Sequence, residues 1–216
     1  MLHVPERRIF DITPVVSPRI AVFPGDTPFS RDVLLSIDDG AHLDLSTVHT
    51  TVHVGAHVDA PSHYKRGAPS IEARDPARYL GRCQVVRVPH ARGRCLDVDD
   101  LTGPIVAPRV LFATGSFPDP DSWNADFAAL DPTLIAHLHH HGVHLVGIDT
   151  PSIDPATSHT LDAHAAVAAR DMAILEGIVL DGVPEGVYTL VALPLKLEGA
   201  DASPVRAVLV DGPLDG

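Results

Sequence analysis

The chain is short of cysteine, of clustered positive charge and of long apolar runs, and each shortage closes off a class of function. It has two cysteines, Cys83 and Cys95, in 216 residues. They form no C-x-x-C and cannot build a disulfide framework, so they read as buried or incidental thiols. Sixteen Lys and Arg stand against 28 Asp and Glu, a formal charge of -12, with no basic cluster to offset the balance locally. Nucleic acid, whose phosphates demand a basic surface, is excluded as a partner. No apolar stretch approaches the roughly 20 residues of a membrane span, and MLHVPERRIF lacks the order of a secretory signal. A cytoplasmic protein without a membrane partner is expected. No G-x-S-x-G occurs, and the nearest serine context, ATGSFPD, does not fit an acyl-enzyme nucleophile. Internal repeats are absent, as are low-complexity tracts beyond one short histidine run.

An apolar share of 45% is enough for a real core, and the length fits one domain over residues 1–216. The 20 prolines and 16 glycines lie between apolar segments and mark turns rather than disorder. Strand-like runs at Arg8 to Ile12, Val33 to Ile37, Leu43 to Val58 and Gln84 to Val88 make the first part mainly β. From Arg109 the pattern alternates. A strand Val110 to Thr114 precedes a helix capped by Asp131 and Pro132, then a strand Leu145 to Ile148. A helix from Asp162 should stop near Ala173, where a strand begins at Ile174, and strands near Tyr188 to Leu193 and Val205 to Val210 close the chain. The fold class is α/β. The histidine run His137 to His144 occupies a last helical turn before Gly142, where imidazoles suit the helix dipole and the free carbonyls.

The chemistry concentrates in HVGAHVDAPSH. In an extended strand His53, Gly55, His57 and Asp59 share one face while Val52, Val54, Ala56 and Val58 share the other. Imidazole and carboxylate suit zinc and its neighbours, and Gly55 leaves room between the histidines. Pro61 ends ladder pairing, so His63 should curl back as a loop, better placed to shuttle protons than to ligate. Scattered surface histidines are the alternative. Farther on, His164 stands in the first turn of the Asp162 helix, and Glu176 lies twelve positions later. On one continuous helix the two would diverge by about 120°. With a strand starting at Ile174, Glu176 can return toward the helix N-terminus, and a lone buried glutamate needs a metal or a salt bridge as partner. The turn FPGDTPFS carries two aromatic rings and either walls a pocket with Phe23 or is an ordinary tight connection. Asp149 and Thr150, at a strand end, offer possible outer support to a site.

Together PGDTPF, HVGAHVDAPSHY, GIDTPSIDP, DAH, MAILEGIVLDGVPEG and ALPLK with DASPVRAVL, in order from about Asp11 to Leu209, resemble the bacterial kynurenine formamidases, or arylformamidases, of the putative cyclase superfamily. The resemblance implies a swivelling β/β/α fold, with mixed sheets around a barrel-like β core and flanking helices. It implies a homodimer that hydrolyses N-formyl-L-kynurenine to L-kynurenine and formate with water activated by two zinc ions. By motif position, His53, His57 and Asp59 would bind the first ion, His164 the second, and Asp59 and Glu176 both. His63 would be the acid/base residue and Phe23 part of the substrate pocket, in a place where members often carry tryptophan. The donor set admits manganese as well as zinc. The alternatives are a relative acting on another cyclic or aryl amide such as isatin, and a non-catalytic metal-binding module.

Overall fold

The computed structural model describes residues 7–212. Thirteen strands form among them. They are β1 (Ile9–Asp11), β2 (Ser30–Leu35), β3 (Leu45–His49), β4 (His57–Asp59), β5 (Leu80–Arg87), β6 (Cys95–Leu96), β7 (Arg109–Ala113), β8 (Ala129–Leu130), β9 (Leu145–Ile148), β10 (Ala173–Glu176), β11 (Gly186–Val191), β12 (Ala202–Pro204) and β13 (Val208–Asp211). The α-helices are α1 (Pro61–Tyr64), α2 (Pro132–His140) and α3 (Asp162–Ala168).

Nine strands make one curled mixed sheet in the order β1-β13-β11-β5-β7-β9-β10-β4-β12. Its centre, β5-β7-β9-β10, is parallel, and its flanks are antiparallel. Parallel strands are covered on both faces, and the side chains sort accordingly. Val110, Phe112, Val146, Ile148 and Ile174 point into a core shared with Leu134, Ile135 and Leu138 of α2 and Val167 of α3. Leu111, Leu145 and Leu175 point the other way, into a second core with Ile12, Tyr79, Leu190 and Leu209. A fully buried side chain such as Phe112 contributes about 1.5–3 kcal/mol by leaving water. Helix α2 begins as its sequence signals: Pro132 stands in the first turn and the Asp131 carboxylate accepts from the Thr133 N–H.

Two expectations change. The run Leu43 to Val58 is not one strand: β3 ends at His49, a turn follows, and β4 starts at His57. Gly55 causes the break, with φ of 57°, a region that alternation of apolar and polar residues cannot reveal. Helix α3 also stops at Ala168, earlier than Ala173. Residues 169–172 make the turn in which Asp171 takes φ of 47° before β10.

Candidate active site

Three elements meet at the β10-β4-β12 edge. In β4, Val58 enters the Leu175 core while His57 and Asp59 face the opposite side, as period two requires. The antiparallel register sets Glu176 across from His57 and Ile174 across from Asp59, so Glu176 lies on the same face. Helix α3 covers that face, and its first turn brings in His164. His53 reaches the same point from the turn before β4 rather than from a strand. His63 arrives on α1, a single helical turn where a loop is expected from the sequence.

The side chains of His57, Asp59, His164 and Glu176 are each at most 3% exposed. Asp59 Oδ1 lies 3.2 Å from His53 Nδ1 and 3.6 Å from His57 Nε2. Asp59 Oδ2 lies 3.3 Å from His164 Nε2. Glu176 divides its oxygens in the same way, Oε2 at 3.2 Å from His57 Nε2 and Oε1 at 3.7 Å from His164 Nε2. The Glu176 Oε1 atom also accepts the Ile153 N–H, at 2.6 Å.

Each of the three imidazoles has its other nitrogen committed outward. His53 Nε2–H donates to Asp201 at 3.0 Å, His57 Nδ1–H to the Gly55 carbonyl at 2.9 Å, and His164 Nδ1–H to Asp154 at 2.6 Å. Such acceptors fix tautomer and ring orientation around metal ions. In the neutral ring the inward nitrogen is then the one with a lone pair to offer an ion.

A divalent metal fits this donor set. An ion with metal–nitrogen distances of about 2.0–2.1 Å in tetrahedral coordination holds its ligand atoms about 3.3 Å apart, which is the spacing found here. Asp59 Oδ1 makes the case sharper: it is fully buried and accepts no hydrogen bond, although two imidazole nitrogens stand close by. Aligned ion pairs would have satisfied it, whereas ligands converging on one point leave it bare. Without a cation the imidazoles must supply the balancing charge. Burial pushes His53 and His164 down, but the neighbouring carboxylates, Asp59 and Asp201 for the first and Asp154 and Asp59 for the second, raise them to about 9 and about 10. Burial likewise pushes the Asp59 carboxyl up, and the neighbouring His164 and His53 hold it well below the usual range.

The cluster opens on a cavity of about 510 Å³, within the size range of small-molecule sites. Phe23, 43% exposed, stands on its wall with Phe117 and Ile178. Trp123 packs edge-on against Phe23 at 5.1 Å and against Phe117 at 6.0 Å. Asp149 braces this wall by accepting from the N–H groups of Thr114 and Gly115, and the Thr150 carbonyl accepts from Gly177 N–H at 2.8 Å. Trp123, Phe117, Asp154 and Asp201 escape the sequence reading. For Asp154 a signal was present, a carboxylate ahead of a helix that carries a buried histidine. The histidines at the end of α2 do cap it, His141 N–H and Nδ1–H both donating to the His137 carbonyl.

The family model described as Putative cyclase matches residues 10–155. The chain belongs to that family. A kynurenine formamidase of Bordetella petrii is 45% identical over 211 residues, covering 94% of this cyclase-family chain and 98% of the relative. One from Maricaulis maris is 43% identical over 210 residues, covering 95% and 99%. A solved structure described as a potential metal-dependent hydrolase with cyclase activity superposes with a TM-score of 0.82 at 27% identity, covering 96% of this chain and 99% of its own. Isatin hydrolase A from Ralstonia solanacearum shares the fold, with a TM-score of 0.79 at 22% identity and coverage of 94% and 92%.

Proposed function

We propose that this chain hydrolyses N-formyl-L-kynurenine to L-kynurenine and formate, as one domain working with two divalent ions, zinc by the donor set. His53, His57 and Asp59 would hold the first ion and His164 the second, with Asp59 and Glu176 shared between them. The observation that carries this is the division of two buried carboxylates, each with one oxygen toward His57 and the other toward His164. Relatives named kynurenine formamidase at 43–45% identity supply the substrate. Manganese is compatible with the same atoms.

When bound, such ions polarise the formyl carbonyl and bring a coordinated water toward a pKa of about 7. The protein's own groups do the rest. Because His63 Nδ1–H donates to Asp201 at 3.2 Å, Nε2 is the atom free to exchange protons. His63 takes the proton released by the attacking water there and delivers it to the aryl amine as the C–N bond breaks. Phe23, backed by Trp123, offers a flat apolar wall to the aryl ring.

The enzyme is read as a homodimer. The β2-β3 hairpin exposes Val33, Leu34, Leu35, Leu45 and Val48, each at least 40% accessible, with no core beneath them. So many exposed apolar side chains on one hairpin suit a protein contact, and sedimentation gives its stoichiometry. No helix among the described residues is long and apolar enough to cross a membrane, and two free thiols fit the reducing cytoplasm.

Metal analysis of the purified protein, with a spectrophotometric assay of N-formyl-L-kynurenine, tests the function. Two equivalents of metal and turnover are expected. Metal-free protein with full activity would end the proposal, and faster turnover of isatin would move the substrate to that class.

A further inference from the structure

Asp201 lies in the segment between Leu193 and Arg206. It stands beside β12, whose ladder with β4 pairs Ala202 with Asp59. Its carbonyl accepts the Ala60 N–H at 2.8 Å, while the Ala60 carbonyl accepts the His63 N–H at 3.0 Å. The carboxylate and the His63 ring thus hang from one backbone residue, on rigid pairing rather than on a free loop.

A single oxygen, Asp201 Oδ2, lies 3.0 Å from His53 Nε2 and 3.2 Å from His63 Nδ1. The two rings are 4.3 Å apart between centroids, tilted by 45°. An ionised carboxylate only accepts, so both nitrogens must carry hydrogen. That one acceptor therefore dictates two tautomers at once. It leaves the His53 Nδ1 lone pair toward Asp59, and it leaves His63 Nε2 open to the cavity.

We propose that Asp201 is a positioning residue that sets the tautomer of a metal-binding imidazole and of the acid/base imidazole through one shared oxygen. The inference rests on the hydrolase reading above. It also explains why His53, His63 and Asp201 converge closely enough to hold an ion of their own: they converge on a hydrogen, twice. The Asp201 side chain is 48% exposed, so its replacements should fold.

The test compares wild type with Asp201→Asn and Asp201→Ala, all at saturating zinc. Losing the outer acceptor of His53 should weaken metal affinity about 10- to 100-fold, so excess zinc restores occupancy. On N-formylanilines the Ala variant should then lose roughly 10²-fold in kcat with little change in KM, as removal of general-acid help does. The loss should steepen with the basicity of the leaving aniline and vanish for a nitrophenyl formate, whose leaving group needs no proton. In a His63→Ala background, Asp201→Ala should cost nothing more on the same substrates. Histidine-ring ¹⁵N spectra of the zinc-loaded protein should show His63 protonated at Nδ1 in wild type and mixed in Asp201→Ala. A uniform loss across all leaving groups, an additive double variant, an unchanged His63 spectrum, or a third zinc that disappears with Asp201 would overturn the proposal. Wild type inactive on every formanilide would instead sink the hydrolase reading, and the spectra would still decide the role of Asp201.

Discussion

Gly177 lies against Gly55: a Cβ on Gly177 would overlap the Gly55 carbonyl oxygen and come 2.8 Å from its carbon. That carbonyl is the acceptor that orients His57. Gly177 follows Glu176, and both glycines take positive φ, 64° and 57°. The contact therefore joins the strand that ends in Glu176 to the turn that leads into His57. Gly177→Ala should lower stability by about 3 kcal/mol through strain and backbone displacement. It should also lower metal content, since Glu176 and His57 move apart. Denaturant unfolding and metal analysis check this; normal metal content in a folded Gly177→Ala variant would show that the contact is incidental.

Asp154 makes a second outer bond testable. It accepts the N–H groups of Ala163 and His164 at 3.0 Å each and His164 Nδ1–H at 2.6 Å. It thus caps α3 and aims its first-turn histidine together. Asp154→Ala should cost about 1 kcal/mol as a lost cap and about 10- to 100-fold in metal affinity. Competitive chelator titration reads the second effect apart from the first.

The parts of this arrangement that were legible in the sequence are those set by local rules. Asp131 and Pro132 announce α2, and the turn between α3 and β10 follows from the impossibility of aiming His164 and Glu176 from one helix. His57 and Asp59 on one face follow from strand period. The path of His53 was not legible, because His53, Gly55 and His57 alternate as a strand would while Gly55 is left-handed. Gly177 gave no hint either, since its reason is a backbone 122 positions away in sequence. Asp201 reads as a loop aspartate until the β4-β12 ladder places it, and Trp123 and Phe117 join Phe23 only through tertiary packing.

The aromatic wall carries its own expectation. Phe23 meets the cavity and leans on Trp123 at 5.1 Å, ring edge to face. As a wall of the cavity without a titratable group, the ring should serve ground-state and transition-state binding alike. Phe23→Ala should raise KM roughly tenfold with kcat nearly unchanged, in line with the 1–2 kcal/mol, roughly, of an aromatic contact. Phe23→Trp should retain KM within a few-fold. A variant that loses kcat at constant KM would place Phe23 in the catalytic step instead.

The turn that separates α3 from β10 is held by charge. Asp171, at φ of 47°, receives Arg74 Nη1 at 2.9 Å and also bonds Arg78. The Arg74 bond holds the Asp171 carboxyl below its ordinary value, against a weaker push from burial, with Arg78 adding to the fall. A carboxylate with a lowered folded pKa gives stability that is fully present above the unfolded value of about 3.9 and is lost as pH falls through the folded one. The Asp171 side chain is 65% exposed, so solvent screening limits the gain to under about 1 kcal/mol. Asn tolerates the left-handed backbone, so Asp171→Asn removes the charge and spares the turn. Near pH 7 it should lower Tm by about 2–4 °C or less, and the gap to wild type should close as pH is taken from about 5 to below 3. Thermal unfolding of both proteins across that range, at matched metal content, measures it. A gap that stays constant through the acid range would mean that shape, and not the Arg74–Asp171 charge pair, fixes the approach to Glu176.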